Sequence, residues 1–486
     1  MVASPAQPVA GSGVTSASIP TCNCDNWIDP QVDVTVAGVN WDALSTLACR
    51  LHKVNSADWG DQLNGSYNLV RFLHLHDQQN TTIVARIPLH PIDGWDSESS
   101  RDISNQIASE VATMQYIETY TKIPIPHIIH HSTDVDCPGV RSPYILMSKV
   151  DGEPLSSVWD TMEDAKRDAV LRQVVDILLE LSSQRFDKIG ALFNTGKATW
   201  HIQPMSFRIV DDPIVHHVIS TMTYTSGTDY WIAIANANLE SIISQNNFGC
   251  IPKDIPYAEA WFMRSLIPAL YNPELDVPGF PLEHGDFHSQ NIMVTDVESN
   301  NPRITAVIDW DLTTTVPTSS FAQYPLFIVD HPAWKDEEPL RARNIRDQSA
   351  FDKFMQEAEL TRNPAGGQPL SRAFANCLGV YLFEQSLCSS DGSASVLLTQ
   401  LFKHVFGDDV VETKLLSDYL LALMDKGLLK NKVERFQTER QVWCEALETL
   451  GEGLVSPDLS RSAFKALMLT HHDRFTVGES IEVVGY

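Results

Sequence analysis

Residues 282–291, LEHGDFHSQN, and residues 304–311, ITAVIDWD, are the two stretches that decide the fold. We expect Asp286 to lie in a loop after a helix, and Asn291 follows five residues later at the start of a short predicted strand. Asp309 comes directly after the apolar run of the next predicted strand. The spacing therefore predicts that two carboxylates and one amide turn toward a common pocket.

This set of side chains is typical of phosphoryl transfer. The protein's main tasks in that reaction are to position the acceptor and to neutralise phosphate charge through magnesium, while a base receives the hydroxyl proton. We predict Asp286 as the base and Asn291 and Asp309 as magnesium ligands. His284 is predicted to be structural, holding the loop against the strand-end Asp. His288 is predicted to face solvent or a substrate.

Chance alone gives many Asp-x-x-x-x-Asn spacings, because Asp and Asn are common in turns. The joined pattern, with two apolar strands and a final Ile-Asp-Trp, is much less common by chance. We therefore favour the catalytic interpretation.

The composition limits the class of protein. A chain of 486 residues favours two lobes or domains. The 35 Lys and Arg against 62 Asp and Glu give a net charge of -27, which argues against nucleic acid or an anionic membrane as a partner. The 8 scattered Cys indicate a reducing compartment, and we interpret Cys22 and Cys24 as a free pair rather than a metal site.

A cytoplasmic location is the expectation from the first 40 residues. They have neither the cationic start nor the apolar run of a secretory signal. The first Arg is Arg50, which does not favour a mitochondrial presequence. The sequence contains no run of 18 apolar residues, so we predict no membrane-spanning helix.

The periodicity predicts an α+β chain with two unlike lobes. After a flexible arm over 1–40, residues 41–150 form a small lobe with an antiparallel sheet, and residues 151–486 form a larger, mainly helical lobe. In the small lobe, strands are predicted at 67–75, 82–89, 125–130 and 144–150, and helices at 41–49 and 104–120. In the large lobe, helices are predicted at 162–181, 231–243, 258–270, 413–424 and 432–450, and strands only around 292–294 and 304–308. The large lobe thus contains a catalytic loop at 282–294, a metal-binding segment at 304–311 and a helical extension at 318–486.

HGDFHSQNIMV followed by ITAVIDWD resembles the signature of the aminoglycoside phosphotransferase and choline kinase group, which has a two-lobed, protein-kinase-like fold. VARIP, IPIPHIIHH, SPYILMSKVDGEPL and DKIGALF resemble fungal members of that group. Protein kinases have Arg where this chain has Gly285, and Phe-Gly where it has Trp310 and Asp311. The resemblance therefore implies an ATP- and magnesium-dependent transfer of the γ-phosphate to a hydroxyl of a small molecule.

The resemblance also implies a phosphate site in the small lobe. The turn at Gly65, Ser66 and Tyr67 could cover the nucleotide phosphates with its amides, although an ordinary hairpin needs no such explanation. Arg86 stands where the group more often has Lys, and Glu110 is its predicted partner. Viewed alone, the two could equally be an exposed strand Arg and a solvated helix Glu.

Four further residues are implied to surround the adenine. Met147 would flank the ring, backbone groups of Ser148 and Val150 would bond its edge, and Met293 would form an apolar floor. Viewed alone, each side chain is more simply a core residue.

Two alternatives stay open at this point. A catalytically silent, kinase-like protein that binds nucleotide or a partner is favoured by Arg86 and the sparse turn, and disfavoured by Asp286, Asn291 and Asp309 together. A protein kinase is disfavoured, since no Ala-Pro-Glu segment follows Asp309. The acceptor is not predicted, because aminoglycoside, choline-like, sugar-like and aromatic alcohol acceptors all occur on this fold.

Overall fold

The structure, a computed structural model, describes residues 30–196, 199–205, 212–244, 254–330, 338–364, 369–388 and 393–407. The helices predicted at 413–424 and 432–450 and the Cys22 and Cys24 pair lie outside the described residues.

The small lobe is built on a five-stranded antiparallel sheet with the order β1-β2-β3-β5-β4. Its strands are β1 Ala57–Asn64, β2 Asn68–Leu75, β3 Thr82–Pro88, β4 Ile128–Ser132 and β5 Tyr144–Ser148. The strands predicted at 67–75, 82–89 and 144–150 are confirmed as β2, β3 and β5. β4 begins three residues later than predicted, because Pro124 and Pro126 withhold two amides from the ladder.

Helices cover both faces of this sheet. Ile83, Ala85 and Ile87 of β3 point to one face, where they pack with helices α1 Pro30–Gly38 and α2 Trp41–His52. Val84 points to the other face and packs against helix α3 Ser97–Tyr120. Arg86 follows Val84 by two residues, so it also lies on the α3 face.

Two boundaries of the small lobe differ from the prediction. The flexible arm predicted over 1–40 is wrong for Pro30–Gly38, which forms α1 with Val32 buried, because its Val, Thr and Gly content gives a weak helical signal. Helix α3 starts seven residues before the predicted 104. Its first turns are polar, and Asp96 caps them by accepting bonds from the amides of Glu98 (3.0 Å) and Ser99 (2.7 Å).

The chain enters the large lobe at Gly152. Strand β6 Glu153–Pro154 then pairs with β11 Ile292–Thr295, which pairs with β12 Arg303–Val307. Gly152 has φ +110°, and a Cβ there would lie 2.4 Å from the carbonyl oxygen of Val294. Residues 149–152, which connect β5 to β6, form the linker between the lobes. The end of this linker is therefore packed directly on β11, the strand that follows the catalytic loop.

We expect Gly152→Ala to lower the free energy of unfolding by at least about 2 kcal/mol, because strained backbone and a backbone clash add together. Urea unfolding measures the change. Gly94→Ala is the matched control, since Gly94 also has positive φ (+82°) but no atom within 4 Å of an added Cβ. Equal losses in the two variants would contradict the close packing of the linker on β11.

The large lobe is mainly helical, as predicted, but it also contains a second five-stranded sheet with the order β7-β10-β13-β8-β9. Its strands are β7 Arg185–Phe186, β8 Gly190–Asn194, β9 Trp200–Gln203, β10 Phe280–Glu283 and β13 Thr314–Thr315. Its helices are α4 Asp164–Ser183, α5 Pro213–Thr221, α6 Gly227–Ser244, α7 Asp254–Leu270, α8 Thr318–Phe321, α9 Pro339–Arg362, α10 Pro369–Ala375, α11 Leu378–Cys388 and α12 Ser393–Phe406. The prediction of strands only around 292–294 and 304–308 is wrong: β7 and β13 have two residues each, too few to show a period, and β8 is buried along four of its five residues and so shows no alternation.

The helix predicted before Asp286 is also wrong, since β10 precedes the catalytic loop. Leu282 of β10, Ile292 and Val294 of β11 and Val307 of β12 are all fully buried in one core with α4 and α9. This core fixes the strand ends that carry the polar residues. None of the helices in the described residues is both long and apolar enough to cross a bilayer.

Candidate active site

The catalytic loop connects β10 to β11 and turns sharply at Gly285. Gly285 has φ +77°, and a Cβ there would lie 2.3 Å from the carbonyl oxygen of Leu312. Only glycine fits this close approach between the loop and the segment that follows Asp309. The turn directs the chain so that Asp286 is the next residue.

Asp286 is held by two donors on the same oxygen. Its Oδ2 accepts a hydrogen bond from Nδ2 of Asn291 (3.1 Å) and lies 3.3 Å from Nε2 of His288. Burial alone raises the pKa of Asp286, but the hydrogen bond and charge of His288 and the contact with Asn291 outweigh it, so that the pKa is lowered. Asp286 is therefore ionised at neutral pH, as a proton acceptor must be.

Asn291 and Asp309 lie at the same end of the β11–β12 hairpin. The amide of Ile308 donates to the carbonyl oxygen of Asn291 (2.9 Å), which places Asp309 next to it. Asp309 has φ +68°, a conformation that aspartate tolerates better than most residues. The structure thus brings the three residues Asp286, Asn291 and Asp309 together, as their spacing predicts; their chemical roles stay predictions.

His284 fixes the loop to this strand end. Its Nε2 donates to the carbonyl oxygen of Ile308 (3.0 Å), its ring centroid lies 4.5 Å from that of Trp310, and the side chain is buried. Burial lowers the pKa of His284 to about 4, although the charges of Asp309 and Asp286 oppose the shift. The predicted structural position of His284 is confirmed, and its ring is neutral at pH 7.

We expect the stability of the protein to fall in acid partly through His284. Its pKa is lower in the folded state than in the unfolded state, so the unfolded state binds more protons as the pH falls below about 6.5. From pH 7 to pH 5 the free energy of unfolding of the wild type should fall by about 2 kcal/mol more than that of His284→Gln. The amide of the glutamine can keep the bond to Ile308 without titrating. Urea unfolding at both pH values measures the difference, and identical losses would contradict a neutral buried ring.

His288 is half-buried and does not simply face solvent. Its Nδ1 accepts a bond from the amide of Gln290 (3.1 Å), which caps the short 3-10 turn Ser289–Asn291. With Nδ1 as acceptor, the neutral ring carries its proton on Nε2, the nitrogen that faces Asp286. The sequence signal for this contact is the i, i+2 spacing of Asp286 and His288 in one tight loop.

Arg86 crosses from the small lobe to the large one. Its Nη1 donates to Glu110 of α3, and its Nη2 donates to Asp309 Oδ1 (2.6 Å) and Asp311 Oδ2 (2.8 Å). The predicted pairing of Arg86 with Glu110 is confirmed, and both side chains are buried. Asp311 is a site residue that the sequence prediction missed; the one sequence signal for it is its closeness to Asp309, two residues earlier in the segment after β12.

The cluster carries excess negative charge. Three carboxylates around one guanidinium leave two negative charges uncompensated when all are ionised. Burial raises the pKa of Glu110 and of Asp311, and the neighbouring carboxylates outweigh burial to raise the pKa of Arg86. A divalent cation on Asp309 would compensate this charge, so the residues fit magnesium electrostatically. In the part of the chain that the structure describes, no three His, Cys, Asp or Glu side chains stand ready to bind a metal ion on their own.

The predicted phosphate turn is the exposed hairpin between β1 and β2. The amide of Gly65 donates to the carbonyl oxygen of Asn68 (2.9 Å), whereas Ser66 and Tyr67 are exposed. The amide of Gly65 therefore serves the turn itself. Ser66 and Tyr67 remain the candidates for contact with a phosphate.

The predicted adenine residues lie around the linker. Met147 is 8% exposed and packs with Ile107 and Val111 of α3, so its side chain lies in the core between sheet and helix. The amide of Ser148 donates to His127 (2.9 Å), and Met293 is half-buried beside Pro154 of β6. The amide of Ser148 is therefore used within the sheet.

Val150 is half-buried and follows Lys149, whose amide donates to Thr82 (3.3 Å). Lys149 thereby continues the pairing of β5 with β3, and Val150 is the first residue beyond that bond. It stays the predicted second backbone contact of an adenine.

Comparisons with known proteins agree with the motif. Residues 274–318 match the model of the phosphotransferase enzyme family. The chain is similar to a subtelomeric hrmA-associated cluster protein of Aspergillus fumigatus, with 26% identity over 346 residues, 60% of this chain and 63% of the relative. It is also similar to altered inheritance of mitochondria protein 9, mitochondrial, of Saccharomyces cerevisiae, with 32% identity over 120 residues, 24% of this chain and 18% of that protein. The chain thus spans less than two thirds of the curated relatives that it matches.

Solved structures with a similar arrangement include aminoglycoside phosphotransferase APH(4)-Ia in complex with AMP-PNP and hygromycin B. That match has 14% identity and a TM-score of 0.42, and it covers 75% of this chain and 100% of the other. Macrolide 2'-phosphotransferase MphH of Brachybacterium faecium matches with 14% identity and a TM-score of 0.37, covering 74% of this chain and 97% of the other. The predicted resemblance to this superfamily and the two-lobed α+β fold are confirmed.

Proposed function

We propose that this protein is an ATP- and magnesium-dependent phosphotransferase that transfers the γ-phosphate to a hydroxyl of a small molecule. The observation that carries the proposal is the position of ionised Asp286, bonded to Asn291, at the strand end that presents Asp309 to Arg86. Phosphoryl transfer needs a base, oxygen ligands for a cation and a cationic side chain together at the edge of one cleft.

Each residue of the site has a task in this proposal. Asp286 accepts the proton of the acceptor hydroxyl through the oxygen that Asn291 does not bond. The acceptor oxygen forms a bond to the γ-phosphorus while the bond from that phosphorus to the bridging oxygen breaks, and ADP leaves. Asn291 and Asp309 would hold magnesium, which neutralises charge on the phosphates when bound.

The small lobe supplies the nucleotide contacts. Arg86 reaches the α- and β-phosphates, and Glu110 orients it. The exposed turn at Gly65, Ser66 and Tyr67 covers the phosphates. Met147, Ser148, Val150 and Met293 form the adenine end, with Ser148 offering its carbonyl oxygen and Val150 its amide. The packing of Gly152 on β11 supports this arrangement, because it holds the proposed adenine end next to the strand that follows the catalytic loop.

The acceptor is a hydroxylated small molecule, and neither a nucleic acid nor a membrane surface suits a chain with a net charge of -27. Hygromycin B, which accompanies AMP-PNP in the similar APH(4)-Ia structure, is a small molecule of this kind and is a ligand of that protein. We place the protein in the cytoplasm; a mitochondrial location is suggested only by the name of the partly matching yeast protein.

The alternative is a catalytically silent, kinase-like protein. One observation favours it: Asp309 is paired with Arg86, the residue that stands in place of the more usual Lys. Magnesium-dependent turnover of ATP by the purified protein, across hydroxylated amines, sugars and aromatic alcohols, separates the two. Stabilisation of the fold by ATP with magnesium, together with no turnover above an Asp286→Ala control, would support the silent protein instead.

His288 should affect turnover through Asp286, and two variants separate its two contacts. His288→Asn keeps an acceptor for the amide of Gln290 but loses the group that faces Asp286; we expect kcat to fall about tenfold or more with the melting temperature unchanged. His288→Gln can keep the group that faces Asp286 but loses the cap; we expect a lower melting temperature with kcat nearly kept. Equal effects of both variants on kcat would contradict a separate role of the Asp286 contact.

A further inference from the structure

Asp311 is a buried carboxylate that the proposed transfer does not use. It is 8% exposed, it lies two residues beyond Asp309, and its Oδ2 is 2.8 Å from Nη2 of Arg86. Within the described ranges, Arg86 is the one cation at ion-pair distance from Asp311. Gln106 of α3 adds a longer contact to the same oxygen (3.4 Å). Asp311 therefore depends on Arg86 for its countercharge.

The shape of the arginine decides how this pairing works. Nη1 of Arg86 bonds Glu110 in the small lobe, and Nη2 bonds Asp309 and Asp311 in the large lobe. The two nitrogens of one rigid fork thus serve carboxylates on opposite sides. Lysine has a single nitrogen, so at this position it cannot bond the α3 side and both strand-end carboxylates with the same geometry.

The two strand-end carboxylates differ in their surroundings. The side chain of Asp309 is 38% exposed and that of Asp311 is 10% exposed. Asp309 can therefore turn to a cation from solvent, whereas Asp311 is enclosed with Arg86. If Asp309 leaves Nη2, Asp311 still pairs that nitrogen, and Arg86 keeps one bond to each lobe.

We propose that Asp311 is a positioning residue that holds the Arg86 fork in the cleft while Asp309 turns to a divalent cation, and that Arg86 and Asp311 form a matched pair. The metal part of this inference rests on the proposed function. The pair gives the second nitrogen of the Arg86 fork a second buried carboxylate to bond.

A double-mutant cycle tests the pair without any substrate. The variants are Arg86→Lys, Asp311→Asn and the double variant, compared by melting temperature. With Arg86 present, Asp311→Asn should lower the melting temperature by at least about 3 °C, because the second nitrogen loses a carboxylate. In the Arg86→Lys variant, the same change should leave the melting temperature unchanged or raise it, because an unpaired buried carboxylate is removed.

The metal part is tested by titrating Mg²⁺ in the presence of AMP-PNP and following the melting temperature. In Asp311→Asn, Arg86 has only Asp309 left at Nη2 and competes with the cation for it. We expect the Mg²⁺ concentration that gives half of the increase in melting temperature to rise about tenfold. The change in melting temperature that AMP-PNP causes in EDTA should stay the same. Asp296→Asn is the matched control, since Asp296 pairs with the exposed Arg303 (2.8 Å) and should change neither quantity.

The two experiments fail in different ways. Equal losses from Asp311→Asn in the wild type and in the Arg86→Lys variant would overturn the matched pair, whatever the protein binds. An unchanged Mg²⁺ requirement in Asp311→Asn would show that Asp311 does not hold Arg86 away from the cation site. This conclusion would stand even if the cycle showed that Arg86 and Asp311 are coupled. If AMP-PNP does not change the melting temperature of the wild type at any Mg²⁺ concentration, the proposed function and the metal part are both overturned. The double-mutant cycle would still test the pairing of Arg86 with Asp311.

Discussion

Asp286→Asn is expected to lower kcat for phosphate transfer about 10³-fold, within the range that a lost general base produces, while ATP still binds. The side chain keeps its size, and its amide can rotate to present oxygen to Asn291, so the loop should hold its shape. The lost property is the negative oxygen that receives the hydroxyl proton. Steady-state kinetics with the best acceptor of the panel, together with ATP binding by calorimetry, measures both parts.

Asp296→Asn is a suitable control for this experiment, because Asp296 lies in the turn after β11 and pairs with the exposed Arg303. It should keep wild-type kcat. Transfer by Asp286→Asn at more than about a tenth of the wild-type rate would remove Asp286 from the role of base. Loss of ATP binding in the same variant would instead indicate damage to the cleft.

The largest effect on stability is expected from Arg86→Met. The change leaves Glu110 and Asp311 buried without their countercharge, and breaking a buried pair in this way typically costs about 3–5 kcal/mol. Protonation of the acids relieves part of the cost, so the loss should shrink as the pH falls. Urea unfolding at pH 7 and pH 5 measures the loss and its dependence on pH.

The control for this variant is Arg303→Met, which breaks an ion pair of exposed partners, with side chains 65% and 49% exposed. Exposed ion pairs typically contribute about 0–1 kcal/mol to the free energy of unfolding, so Arg303→Met should lower it only slightly. A loss in Arg86→Met no larger than in Arg303→Met would show that the cluster contributes nothing to the stability of the fold.

The sequence allowed the site to be predicted where its chemistry is local. Asp286 and Asn291 lie five residues apart in one loop, and Asp309 follows the next strand, so spacing alone places them together. Arg86 and Glu110 were matched through a family resemblance rather than through spacing. The contact of Arg86 with Asp311 joins residues 225 apart, and no local pattern reports such a distance.

The length of an element decides whether its sequence reveals it. β2, β3 and α4 are long enough to show their periods, and they were predicted nearly to their ends. β7 and β13 have two residues each, and their pairing with β10 is set by the tertiary fold. β10 itself has four residues between Gly279 and the catalytic loop, and it was not predicted; the helix expected before the loop ends earlier, at Leu270.

The partners of Arg86 in the two lobes are synthesised at different times on the ribosome. Glu110 is made 24 residues after Arg86, whereas Asp309 follows 223 residues later. At about 5–20 residues per second, roughly 10–45 s separate the synthesis of Arg86 from that of Asp309. During that time Glu110 is the carboxylate of the cluster already available to the arginine. The small lobe can therefore assemble early, but its arginine gains its full set of partners only when most of the chain has been translated.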